Sequence, residues 1–431
     1  MAALVNSSVN SKSSKNDRLY ENMNNNPLNK TPDRIEFIRL LLENTQLSAM
    51  FEMDTVVTKD HYKNVKDVTE IFDKKNVVFR DAMCSLGNYL VYIKSGTTGH
   101  TFKGMSIPDP SRPDMELNYA VKIVAYPKED YYGNVNALNR PENAELMMLK
   151  ILSYFVVKRH TPHIVLPITT FNSKIQTFVA LSKTNLVKST KYDKFIKQYE
   201  KGAFYDDVSV LISEWANGGD LLEYLREFFS TLTVKEWRVI FFQVISTIAI
   251  IQSKYPSFRH NDLKLNNILI QNINVGGRDG TFVYTVNEQT YYVPNTGKRC
   301  KIWDFDFACI PGIVENSKVD ATWTDGINVK SEAHQYYDIH YFFNTMVSPG
   351  FISDFFGRDG NGTPLVPDEV TEFVKRVVPN KLRTGKQIIS KKGRLLINYE
   401  QLQSVRGLFY KTPLEILEQD PFFAKMRYQH K

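Results

Sequence analysis

A chain of 431 residues with 42% hydrophobic and 13% aromatic side chains has room for a large core and is not generally disordered. Three cysteines and eight histidines in no paired or metal-ligand spacing argue against a disulfide scaffold and a zinc site, and predict reduced thiols in a cytosolic setting. A net charge of +7 is too modest to indicate nucleic acid, and the longest apolar run, Val239 to Gln252, is short for a membrane span, as is the polar-flanked Met1–Val5 for a signal peptide.

In chain order, residues 1–32 have the Asn-, Ser- and Lys-rich composition of a disordered tail. A helical extension over 33–75 begins near Thr31-Pro-Asp33, with Thr31 or Asp33 as cap and Ile35, Ile38, Leu41 and Leu42 on one face. Residues 76–213 read as a strand-rich small lobe, with β-branched or aromatic runs at 76–79, 89–93, 119–124, 163–168 and 208–212, and a helix from Pro141 to Phe155. Glu214-Trp-Ala-Asn-Gly-Gly-Asp-Leu221 reads as a hinge, after which helical periodicity dominates to residue 431. Within that second lobe, Thr281–Val286 and Thr290–Val293 flank a turn and predict an inserted hairpin near 276–300. Eight basic residues from Lys375 to Arg394, with no acid between Glu372 and Glu400, read as a solvated face or, alternatively, as a docking surface for an acidic substrate, lipid headgroup or polyanion.

The residues that carry chemistry lie in Phe258-Arg-His-Asn-Asp-Leu-Lys-Leu-Asn-Asn-Ile-Leu-Ile270 and Lys301-Ile-Trp-Asp-Phe-Asp-Phe307. Moving a γ-phosphoryl group requires a hydroxyl held in line, divalent metal across the phosphates and positive charge against the transition state. Asp262 would orient and deprotonate the hydroxyl, Lys264 would neutralise charge, and Asn267 and Asp304 would each hold a metal ion. Lys122, in the alternating run Tyr119-Ala-Val-Lys-Ile-Val124, would be costly facing a core without an anion such as the ATP α- and β-phosphates. Glu145 on the following helix could hold it in place, with Glu142 as competing candidate. Ser85-Leu-Gly-Asn88 is the candidate phosphate-covering loop, with Ser85, Gly87 and Asn88 nearest the nucleotide and Ser95-Gly-Thr-Thr-Gly99 as a possible substitute.

Taken with His160-Thr-Pro-His-Ile-Val165, Gly218-Gly-Asp-Leu-Leu222 and Lys411-Thr-Pro-Leu-Glu-Ile-Leu417, this order resembles a eukaryotic-type protein kinase. The hairpin before Asp304, Asp-Phe-Asp in place of Asp-Phe-Gly, and the Asn-rich tail look most like the serine/threonine kinases of poxviruses and other large DNA viruses. The resemblance implies an α+β, two-lobed fold with a five-stranded antiparallel sheet in the first lobe and a mainly helical second lobe. It implies adenine contacts from the backbone of Glu214 and Ala216, Ser213 as gatekeeper, Asp220 near the ribose and Asp338 capping the catalytic loop. It also implies ATP with Mg²⁺ (Mn²⁺ as an alternative), protein substrates, acidic ones among them, and a cytoplasmic or virion location. Asn261 in place of the usual arginine argues against control by loop phosphorylation, and Asp306 against a flipping loop. The competing readings are a choline- or aminoglycoside-type small-molecule kinase, against which Lys264 speaks, and a pseudokinase binding module.

Overall fold

The computed structural model describes residues 30–43, 45–51, 55–87, 89–96, 99–105, 118–183, 187, 189–273, 280–404 and 410–427. Asn88 and nearly all of the 1–32 tail therefore lie outside the described residues. The fold is α+β, and the chain divides into two compact units.

The first unit comprises residues 1–54, 61–153 and 166–215. Its first helix, α1 (Thr31–Leu42), has Lys30 at the N-cap without a side-chain cap bond, so neither Thr31 nor Asp33 caps it. Pro32 starts it instead, because its fixed φ and missing N–H suit a first turn. The run at 76–79 is not a strand. Asn76 makes an isolated bridge to Asn172, and Phe79 opens α2 (Phe79–Leu86), which buries Phe79, Ala82, Met83 and Leu86. That spacing of three and four residues is helical and lies hidden behind a β-branched start.

Five antiparallel strands follow: β1 (Tyr89–Ser95), β2 (His100–Met105), β3 (Asn118–Pro127), β4 (Pro167–Lys174) and β5 (Phe204–Glu214). They lie in the order β1-β2-β3-β5-β4. β2 has no counterpart among the expected runs. It alternates buried and half-buried residues, and Gly104 sits where a Cβ would come within 2.1 Å of the Tyr119 ring. β3 is central, with Lys122 opposite Thr101 on one side and Leu211 on the other. Helix α3 (Pro141–Val157) buries Leu146, Leu149 and Leu152. A further helix, α4 (Thr190–Glu200), lies between β4 and β5 in the chain.

The second unit comprises residues 55–60, 154–165 and 216–431. It opens on α5 (Leu221–Phe228) and α6 (Val234–Lys254), the latter started by a reciprocal Thr233/Glu236 capping box. Every residue from Trp237 to Gln252 is buried, which accounts for the apolar run as a core helix. Phe241 of α6 packs on Phe343, Phe373 and Phe422, with ring centroids 4.9, 5.6 and 6.2 Å away. β6 (Ile268–Asn272) pairs with β9 (Lys298–Ile302), and between them β7 (Thr281–Val286) and β8 (Gln289–Pro294) form a hairpin. Its two-residue turn, Asn287-Glu288, has both φ angles positive, matching the twist of the strands. Tyr284 and Tyr291 seat it against Phe242 of α6 at 5.3 and 5.2 Å. α7 (Tyr337–Met346), α8 (Asp368–Val377) and α9 (Pro413–Gln419) complete the unit. No described helix is long and apolar enough to cross a membrane.

Candidate active site

In the first unit the decisive contact is between Lys122 of β3 and Glu145 of α3. A central strand buried on both faces leaves a lysine no water, so its charge needs an anion within reach. Lys122 Nζ lies 2.6 Å from Glu145 Oε1, and both side chains are below 10% exposed. Glu142 is paired with Arg140 at 2.8 Å.

The end of β5 is equally determined. Glu214 is 1% exposed and receives two bonds from Arg34 of α1, each 2.7 Å, and a third from the Leu166 amide at 2.9 Å. Its own amide donates to the Leu166 carbonyl at 3.0 Å, so a base edge could use its carbonyl but not its N–H. Nothing in the composition of α1 singled out Arg34, since its partner is 180 residues away.

Ser85 and Gly87 do not lie in a turn between strands. Ser85 is inside α2 with its hydroxyl bonded to the Ala82 carbonyl, and Gly87 is the C-cap of that helix with φ of 124°. Between β1 and β2 the Gly96 amide donates to the Gly99 carbonyl at 2.8 Å.

In the second unit, Asp220 caps α5, its Oδ1 accepting from the Glu223 amide at 3.0 Å. The preceding turn packs on β6: the Gly218 amide donates to the Ile270 carbonyl at 2.7 Å, and a Cβ on Gly218 would meet that same oxygen at 2.7 Å. Ala216, which opens the unit, is buried.

The loop from Arg259 to Asn267 holds the remaining groups. Asp338 of α7 is fully buried and accepts the amides of His260 and Asn261 at 2.8 and 2.9 Å, fixing the loop from beneath. Burial pushes the Asp338 carboxyl above its usual range, opposed by His260 and the two amides. Asp262 Oδ2 accepts from Lys264 Nζ at 2.7 Å and from Asn267 Nδ2 at 3.0 Å. Since the Asn267 nitrogen is engaged there and with the Asp262 carbonyl, its oxygen is the atom able to ligate a cation. Ile268 pairs with Ile302, and the Trp303 amide bonds the Asn267 carbonyl at 3.1 Å, so the ribbon brings Asn267 and Asp304 to one end. Asp304 adopts φ of 62°, a left-handed conformation uncommon outside glycine and concentrated at functional sites.

Two departures from expectation concern charge. Asp306, at the glycine position of the Asp-Phe-Gly pattern, is buried and ion-paired to Lys318. Arg394, assigned to a solvated basic run, is 5% exposed and bonds both Asp262 Oδ1 and the Asn261 carbonyl. Lys381, Lys386, Lys391 and Lys392 of that run are exposed. Asn261 itself donates to the carbonyls of Phe307 and Lys330 at 3.0 and 3.1 Å.

Among the described residues no three His, Cys, Asp or Glu side chains converge as a metal cluster. The oxygen pair of Asn267 and Asp304 suits a hard cation that takes few protein ligands and completes its shell with phosphate and water, as Mg²⁺ does.

A model of the poxvirus serine/threonine protein kinase family matches residues 132–350. The chain is also 43% identical over 409 residues to a protein of Acanthamoeba polyphaga mimivirus named "Putative serine/threonine-protein kinase R400", a match covering 92% of this chain and 81% of that one. The chain belongs to the poxvirus serine/threonine protein kinase family. A second mimivirus protein, "Putative serine/threonine-protein kinase R301", is 29% identical over 236 residues, 47% of this chain and 57% of its own. The family match contains Glu145, Asp262, Asn267, Asp304 and Asp338, whereas Lys122 and Arg394 of this poxvirus-type kinase lie outside it.

Proposed function

We propose that this chain transfers the γ-phosphoryl group of ATP to serine and threonine hydroxyls of proteins. The observation that carries the reading is the carboxylate of Asp262, held by Lys264 and Asn267 on a loop that Asp338 anchors. Asp262 takes the acceptor proton as the hydroxyl oxygen bonds to the γ-phosphorus and the bond to the β-phosphate oxygen breaks, releasing ADP. Lys264 stays beside that carboxylate and lends positive charge where the phosphoryl oxygens gather it. Lys122, aligned by Glu145, supplies the cation for the α- and β-phosphates. The Glu214 carbonyl and the Ala216 backbone serve the adenine, and the Gly96–Gly99 segment replaces Ser85 and Gly87 as the phosphate cover. Asp220, which caps α5, lies close after Glu214 and Ala216 in the chain and serves the ribose. Mg²⁺ or Mn²⁺, held by Asn267 and Asp304, would draw charge from the phosphate oxygens when bound.

The test is label transfer from γ-labelled ATP to a generic protein acceptor, beside a panel of amino-alcohols. Wild type is expected to label the protein, and Asp262→Asn and Asp304→Asn to lose roughly 10²-fold or more of that activity. Label confined to the amino-alcohols would show a small-molecule kinase, and nucleotide binding without transfer a pseudokinase.

A further inference from the structure

The turn from Ser390 to Arg394 is built to deliver one side chain. Ser390 and Arg394 are joined by a 2.8 Å bond from the Ser390 amide to the Arg394 carbonyl, and the Ser390 hydroxyl accepts the Arg394 amide at 3.0 Å. Ile389 and Leu395 form an antiparallel bridge on either side. The turn is then pinned from two directions: Asn344 of α7 donates to the Gly393 carbonyl at 2.8 Å, and Asn328 donates to the Leu395 carbonyl at 2.8 Å.

From this platform the Arg394 guanidinium passes over the Tyr341 ring, 4.5 Å from its centroid, and ends on Asp262 Oδ1 and the Asn261 carbonyl. Burying a guanidinium is costly unless its charge is matched, and a fork of fixed geometry constrains what it bonds. Here the two ends of the fork hold the carboxylate and the backbone just before it, so rotation of the Asp262 side chain and the entry of the loop are restrained together. The division of labour on the carboxylate is clean. Lys264 and Asn267 occupy Oδ2, and Arg394 takes Oδ1 from the opposite direction in the chain. A carboxylate oxygen accepts more than one bond, which leaves Oδ1 able to receive a hydroxyl while bonded to Arg394.

We infer that Arg394 is a positioning residue for phosphoryl transfer, acting through Asp262 by fixing the direction in which its Oδ1 meets the acceptor hydroxyl. The inference rests on the reading of Asp262 as the base. It accounts for a buried arginine whose partner is the one carboxylate that the reaction uses, at a separation of 132 residues.

The experiment compares the full chain with Arg394→Lys and Arg394→Ala, measuring protein phosphorylation, ATP dissociation constant and melting temperature. Arg394→Ala is expected to lose about 100-fold in kcat, the scale of a misplaced reacting group, with ATP affinity held within about threefold. Millimolar guanidinium should restore at least about fivefold of the lost rate, because it refills the position without re-forming a side chain. Arg394→Lys, which keeps the charge without the fork, is expected to fold and to retain only about a tenth of the rate. A folded Arg394→Lys or Arg394→Ala with kcat within about threefold of wild type overturns the assignment, as does a loss of ATP affinity that matches the loss of rate. A wild-type chain that labels no acceptor overturns the kinase reading itself, and this assignment with it.

Discussion

Lys122 shows how much one buried charge can be asked to explain. With 9% of its side chain exposed in the middle of a sheet, it is stabilised by Glu145 at 2.6 Å and by whatever anion binds beside it. Removing either partner leaves the other charge buried and unmatched. Lys122→Met should lower kcat/KM for ATP roughly 10²-fold and, because it strands the Glu145 carboxylate, should lower the melting temperature as well. Glu145→Gln leaves a buried ammonium without its counter-charge and should likewise lower both stability and kcat/KM. A melting temperature unchanged by both substitutions, read by thermal unfolding beside steady-state kinetics, would contradict this account. The pair was legible in the sequence because a lysine in an apolar alternation is conspicuous. Arg34 and Arg394 were not, since each looks like an ordinary surface cation until a chain closure of more than a hundred residues brings it to a carboxylate.

At the scale of elements, the segment after Asp304 is held by ties within its own unit. In place of a charged clamp for a phosphorylated loop, it has neutral and internal ties. Asn261 bonds the Phe307 and Lys330 carbonyls, Asn316 bonds the Asp306 and Ala308 carbonyls at 3.0 and 3.2 Å, and Lys318 pairs with Asp306. None of these needs a phosphate. Activity is accordingly expected to survive phosphatase treatment within about twofold, whereas Lys318→Ala, which strands a buried carboxylate, should lower it about tenfold or more. A phosphatase-sensitive wild type would show that a covalent switch operates after all. Strand and helix assignment failed at this scale where two periodicities overlapped, and β2 went unread altogether. Val77-Val78-Phe79 satisfied a strand reading locally, while the decisive residues Ala82, Met83 and Leu86 came later and followed helical spacing.

Across the whole molecule, several histidines are buried in the neutral form. Burial lowers His100 of the first unit to about 4, His340 of the second to about 4, and His334, with Arg259 and His340 nearby, to about 3. A histidine whose folded pKa is depressed leaves the unfolded chain to bind more protons below about 6.5. The stabilisation is thus complete above that value and is withdrawn as pH falls toward 4, up to about 3 kcal/mol for each such group. Thermal unfolding should show a flat melting temperature near neutrality and a steady fall from pH 6.5 to 4, blunted in His340→Gln. A melting temperature unchanged down to pH 4 would contradict the burial of neutral imidazoles. The α+β class was readable because hydrophobic periodicity is a property of each segment. Long-range ion pairs were not, because nothing local records them.

The bidentate bond from Arg34 to Glu214 gives the chain an unexpected frontier. The family match begins at residue 132, and motif reading places the start of the catalytic lobe at residue 76. Yet the last residue of β5, next to the candidate nucleotide edge, is neutralised by a helix that precedes both boundaries. The family model and the ion-pair network therefore start at different points: a chain cut at either boundary would leave the buried Glu214 carboxylate without its arginine.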